Sequence, residues 1–332
     1  MTKKIFALGL AAILALAPVQ AFAKTVSITN VSYDPTREMY EQYNQIFVKH
    51  WKEETGEDVE VTQSHGGSGK QALEVANGLD ADVVTLALEY DIESIEKAGL
   101  VHSGWQNNFA NDSSPYTSTI VFLVKKGNPL NIQDWDDLTK EGVGVVTPNP
   151  KTSGGARWNY MAAWAYADKK YDGDEDQIET FIQKLYQNVV VLDSGARGAT
   201  TSFVENSQGD VLIAWENEAY LSMRDYPDEY EIVTPSISIL AQPSVAVVDE
   251  VVDYRGTREV ATEYLNYLYS EEAQEIAAQN YFRPTDQKIL EKYSDVFDLN
   301  VDLVTIKDYG GWDAVQEKHF TDGGVFDRIY ER

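Results

Sequence analysis

Residues 25–56, TVSITNVSYDPTREMYEQYNQIFVKHWKEETG, hold two periodicities back to back. Thr25–Ser32 alternates between apolar and polar, the period of a β-strand. Asp34-Pro35 then reads as a helix cap followed by proline at the first helical position. Met39, Tyr43, Ile46, Phe47 and Trp51 recur at helical spacing, and Gly56 can end the helix. A strand running straight into an amphipathic helix is the repeating unit of α/β folds.

The rest of the chain repeats that unit. Val59–Thr62 is a short strand, and Ala81–Leu88 has the continuous apolar character of a strand buried on both faces. Thr119–Val124, Val143–Thr147, Val189–Leu192, Val211–Trp215 and Ser244–Val248 are further strands. Arg258–Tyr269 and Glu271–Tyr281 read as helices. At 332 residues the chain is long enough for two domains. Two α/β lobes with no linker between them require the chain to cross from one to the other more than once. The crossings are expected near residues 112–120 and 240–247.

Composition excludes several function classes. With 27 basic against 54 acidic residues the formal charge is −27, which argues against nucleic acid and anionic membrane as partners. The absence of cysteine excludes disulfides, thiolate zinc sites, iron–sulfur clusters and thiol nucleophiles. Residues 1–23 are expected to be a signal peptide, because Lys3 and Lys4 precede an apolar run, Ile5–Leu16, and an Ala21-Phe22-Ala23 cleavage site. The mature protein is then expected to be free of the membrane and, in a cell with an outer membrane, periplasmic.

Three Gly/Ser loops each precede a helical stretch: Ser64–Lys70 (SHGGSGK), Thr152–Arg157 (TSGGAR) and Asp193–Gly198 (DSGARG). Glycine lets backbone N–H groups approach a ligand, and a helix start adds about half a positive charge. Together with Asp34-Pro35 they point to an anion site. Nucleotide and hydrolase motifs fail on inspection. A Walker loop ending at Gly69-Lys70 needs glycine at Ser64 and a hydroxyl at Gln71. A dinucleotide fingerprint from Gly67 needs glycine at Ala72, and a nucleophile elbow at Ser68 needs glycine at Lys70. His50, His102 and His319 are scattered and expected at surfaces or interfaces, while His65 is expected to stabilise its turn. No nucleophile, base and orienting group assemble.

Longer motifs carry a resemblance. Val31–Glu38, Gln63–Gln71, Ala81–Leu88, Pro115–Val124, Thr147–Tyr160, Leu192–Gly198, Asp210–Glu218 and Gly310-Gly311-Trp312 closely resemble the periplasmic sulfate-binding proteins of ABC transporters. The resemblance spans essentially the whole chain after residue 23. It implies an α/β, two-lobe periplasmic binding protein of type II-like form, with a hinge and an interlobe anion site. It further implies a receptor, not an enzyme, that delivers sulfate to an inner-membrane ABC permease as a monomer, without cofactor or metal. Thiosulfate is the alternative ligand within that class. A hydrolase of sulfate or phosphate esters is the alternative outside it, disfavoured because Ser32-Tyr33-Asp34-Pro35 sets the proline one position too late for a sulfatase signature.

Carried onto matching positions, the anion ligands are Asp34 and Ser68 in one lobe and Ser153, Gly154, Gly155, Ala196 and Trp215 in the other. Ser68 and Ser153 act through hydroxyls, Trp215 through its indole N–H, and most others through backbone amides. Thr152 stands where the family pattern has serine. The Asp34 carboxylate is expected to cap the helix starting at Pro35. Arg157 and Arg197 are expected to brace the loops by pairing with carboxylates such as Asp193. Lobe 1 is expected to comprise residues 24–116 and 246–332, and lobe 2 residues 117–245.

Overall fold

The computed structural model describes residues 25–330. The expected signal peptide lies outside the described residues. The first sheet contains β1 (Thr25–Tyr33), β2 (Asp58–Gly66) and β3 (Val83–Leu86). β2 and β3 flank β1 in parallel, and a late strand, Ser244–Val247, closes the edge antiparallel to β3. Helix α1 (Arg37–Thr55) ends at Gly56 with φ +76°, the left-handed conformation that glycine adopts without a Cβ penalty. Its apolar stripe buries Met39, Tyr43, Phe47 and Trp51. Helices α2 (Ser68–Ala76) and α3 (Glu89–Lys97) follow β2 and β3.

The second sheet has five strands. They are β4 (Ile120–Lys125), β5 (Val145–Pro148), β6 (Val189–Asp193), β7 (Val211–Trp215) and β8 (Tyr230–Val233), in the order β6-β5-β7-β4-β8. Helix α4 (Gly154–Lys170) follows β5 and is buried on nearly every side over its first twelve residues. Helices α5 (Glu175–Gln187), α6 (Ala196–Val204) and α7 (Glu216–Asp225) complete this half. Between the sheets two chain segments run side by side, with Ser118 and Ala241 exchanging two backbone hydrogen bonds of 2.9 Å. Thr119 Oγ1 adds a 2.8 Å contact to Ser238 Oγ.

The C-terminal segment contacts both halves, with Lys97 3.5 Å from Asp313 and Lys307 3.2 Å from Asp112. From residue 302 onward it makes further contacts with elements of residues 117–245. Asp302–Val304 pairs in parallel with Ile237–Ile239. Val325–Tyr330 packs on α5, with Arg328 2.8 Å from Glu179 and Lys151 2.9 Å from Asp327. The drivers are aromatic: Trp312 packs edge-on against Trp158, and Phe326 packs on Tyr186.

His319, expected at a surface or an interface, is buried. Its Nδ1 lies 2.9 Å from the Tyr160 hydroxyl, and burial pushes its pKa down to about 3, with Lys318 and Arg328 adding to the effect. A neutral core histidine is the result.

Candidate functional site

In open α/β sheets ligands bind beyond the carboxyl ends of the strands. Here β1, β2, β5, β6 and β7 all deliver their ends to one place. β1 passes into a 3₁₀ turn, Asp34–Thr36, whose Pro35 fixes the backbone. β2 runs to Gly66, four residues further than the sequence pattern suggests, so Gly67 becomes the cap of α2 and Ser68 its first residue. Ser153 caps α4, its Oγ accepting from Ala156 N–H at 3.3 Å. Gly195 caps α6, with Ala196 first in that helix. Trp215 ends β7.

These residues form a closed circuit across the two lobes. An added Cβ at Gly154 would lie 3.0 Å from the Ser68 Cβ, and one at Gly155 would lie 3.1 Å from Trp215 Nε1. A Cβ at Gly195 would lie 2.7 Å from Asp34 Oδ2 and 3.9 Å from the Gly67 Cα. A Cβ at any of these three glycines would crowd the side chain that faces it across the junction. The N–H groups of a helix's first turn have no acceptor within the helix. Gly154 and Gly155 therefore present free donors where α4 begins, as Ala196 does in α6 and Ser68 in α2. All seven expected site residues thus meet at one junction.

Three side chains behave differently from expectation. The Asp34 carboxylate caps no helix: α1 starts at Arg37, and that arginine holds the carboxylate at 2.7 Å. The Ser68 hydroxyl accepts from Ala87 N–H at 2.9 Å and donates to Asp91 Oδ2 at 2.5 Å, so its hydrogen is already directed to a carboxylate. The Trp215 indole donates to the Gly155 carbonyl at 3.2 Å. Thr152 turns its hydroxyl to the Ser194 carbonyl at 2.8 Å, joining two of the loops.

The arginines brace the loops as expected, but with other partners. Arg197, on α6, meets both oxygens of Glu38 on α1 at 2.9 Å and Glu218 on α7 at 2.9 Å. Burial pushes Glu38 up, but the hydrogen bonds and charge of Arg197 outweigh it and hold the carboxyl low. Glu218 is more deeply enclosed, and there burial wins and raises it. Arg157 lies 3.5 Å from Asp91 and donates to the Pro150 carbonyl at 2.9 Å. Both arginines reach from the second lobe to the first. Asp193, the expected partner, has a buried Oδ2 without a hydrogen bond.

Residues 32–283 match the family described as bacterial extracellular solute-binding protein. The chain belongs to that family. It is 57% identical over 319 residues to the sulfate-binding protein of Escherichia coli K12, covering 96% of this chain and 97% of that one. It is 49% identical to the thiosulfate-binding protein of Pseudomonas aeruginosa over 91% of this chain and 92% of the relative. Among solved structures, the sulfate-binding protein SubI of Mycobacterium tuberculosis superposes with a TM-score of 0.80 at 34% identity, over 89% of this chain and 99% of that one. The two-lobe α/β reading therefore holds, and this solute-binding protein is a receptor, not an enzyme.

The sequence pattern did not reveal the carboxylates that matter. Glu38, Asp91 and Glu218 sit among 54 acidic residues, and no local spacing marks them. One signal was present: Glu216-Asn217-Glu218 continues a buried strand with three buried polar residues.

Proposed function

We propose that this solute-binding protein is a periplasmic receptor that captures sulfate between its lobes and hands it to an inner-membrane ABC permease. Residues 24–116 and 246 to about 300 would form lobe 1. Residues 117–245, joined by the 302–330 segment, would form lobe 2. The observation that carries the reading is a junction of helix starts whose neighbouring arginines are all engaged by carboxylates. Among the described residues, the arginines beside the junction are each paired with an acid, so dipoles supply much of the compensation for a bound dianion. The starts of α2, α4 and α6, at roughly half a charge each, supply about 1.5 units. Hydrogen bonds to a charged group, about 1.5–3 kcal/mol each, supply the remainder. The net charge of −27 repels an anion at long range, but salt screens that field beyond about 10 Å.

The same arrangement suits thiosulfate, and a thiosulfate-binding relative exists at 49% identity. The 57% identity to a sulfate-binding protein favours sulfate. Calorimetric titration of the ligand-stripped protein with sulfate, thiosulfate, molybdate and phosphate decides the matter. One sulfate per chain, bound more tightly than thiosulfate, is the expected result; no heat with either anion sinks the reading.

Two outcomes accompany it. The donors divide between the lobes, so binding should close them, and small-angle scattering should show a smaller radius of gyration with saturating sulfate. Identical curves would remove the hinge. Trp215→Phe should weaken sulfate by roughly tenfold or more, because the ring volume stays while the indole donor goes. The bond to the Gly155 carbonyl must be exchanged for one to the anion; an unchanged dissociation constant would show that it is not.

A further inference from the structure

We infer that Asn217 is a specificity-determining residue, a buried amide tether that fixes the lobe spacing beside the anion site. The inference rests on the sulfate reading above. Asn217 stands in the first turn of α7, two residues after Trp215, and is completely buried. Its Nδ2 donates to the Pro35 carbonyl at 3.0 Å, across to the first lobe. Pro35 directly follows Asp34. One hydrogen bond therefore links the segment bearing the second lobe's indole donor to the turn bearing the first lobe's backbone donor.

Its neighbours cross the lobes less rigidly. Glu216 meets Arg283 at 2.7 and 2.8 Å, and Glu218 reaches lobe 1 only through Arg197 and Glu38. Those contacts run through long side chains with many rotatable bonds, which can follow a shift of the lobes. An asparagine has two such bonds, and its acceptor here is a carbonyl in a proline-fixed turn. The tether has the least slack of the three.

Stability alone does not account for an amide here. The Asn217 Oδ1 is buried without a hydrogen-bond partner. Such an oxygen is destabilising, and an apolar side chain of similar volume would avoid the penalty. The amide earns its place through the bond it makes to Pro35. Sulfate presents four short bonds to small oxygens. Thiosulfate replaces one oxygen with a larger sulfur on a longer bond, and fits only if the lobes stand slightly further apart. A spacing held by a direct hydrogen bond resists that widening.

The test is calorimetric titration of wild type, Asn217→Leu and Asn217→Ser with sulfate and with thiosulfate, alongside thermal melts. Sulfate affinity should fall roughly tenfold. Thiosulfate affinity should fall less than about threefold, moving the ratio toward thiosulfate by a factor of about three or more. A purely structural role would lower both affinities together or lower only the melting temperature, and either result overturns the inference. If Asn217→Leu does not fold, Asn217→Ser is read by the same criterion. Wild type that binds neither anion overturns the receptor reading, and this inference with it.

Discussion

Gly67→Ala is expected to weaken sulfate binding by up to about a hundredfold while leaving the fold of each lobe intact. Gly67 has φ −61° and ψ 131°, a conformation open to any L-residue, so alanine strains nothing locally. The added methyl would instead lie 2.8 Å from the Thr152 carbonyl oxygen and 3.3 Å from that of Ser194. Both are backbone atoms of the opposite lobe, and neither can rotate aside as a side-chain tip could. Relief requires the lobes to stand apart, which takes the donors of α4 and α6 away from those of the first lobe. Overpacking of this kind costs about 1–3 kcal/mol. Gly69 supplies the control. A Cβ there meets nothing closer than 3.6 Å, so Gly69→Ala should bind sulfate nearly as wild type does. Titration of both variants, with melts of the ligand-free proteins, checks the claim. If Gly67→Ala binds as tightly as wild type, the lobe contact at Thr152 is not part of the liganded state.

The contrast between these two glycines shows what a sequence can carry. The GGSG run permits a close approach, although glycine before a helix serves ordinary βα turns as well. Which glycine makes the approach depends on the register of β2, which continues to Gly66, and on a loop 85 residues further along the chain. Local periodicity encodes neither. Helix α1 lies at the other extreme. Its stripe, its proline and its terminal glycine all sit within 22 residues, and each physical cause acts inside that span. Arg197 and Glu38 are 159 positions apart, and any of dozens of acids could have been the partner. The packing of the 302–330 segment is illegible for the same reason. Its aromatic residues mark it as packed, but nothing in their spacing names the sheet they pack on.

Phosphate should bind at least about two decades more weakly than sulfate near pH 7, a rejection of the size that mispaired buried polar groups produce. Sulfate is fully ionised there and only accepts hydrogen bonds. Phosphate keeps at least one proton and must donate it. The junction offers it donors: first-turn N–H groups of α2, α4 and α6, the Ser153 hydroxyl and the Trp215 indole. The carboxylates nearby are engaged by donors of the protein itself. Asp34 is held by Arg37, Asp91 by Ser68 and Arg157, and Glu38 and Glu218 by Arg197. A P–OH enclosed there would face hydrogens instead of an acceptor, and an unsatisfied group in a dry site costs about 1–3 kcal/mol or more. Repulsion between the facing hydrogens adds to that cost. Competition titration with both anions at pH 7 gives the ratio. Should phosphate compete within about tenfold of sulfate, one of those acids has left its partner to accept the proton. Repeating the titration with Asp34→Ala, Glu38→Ala, Asp91→Ala and Glu218→Ala, one at a time, would then show which, since alanine removes the acceptor and rejection of phosphate returns only where that acid held the proton.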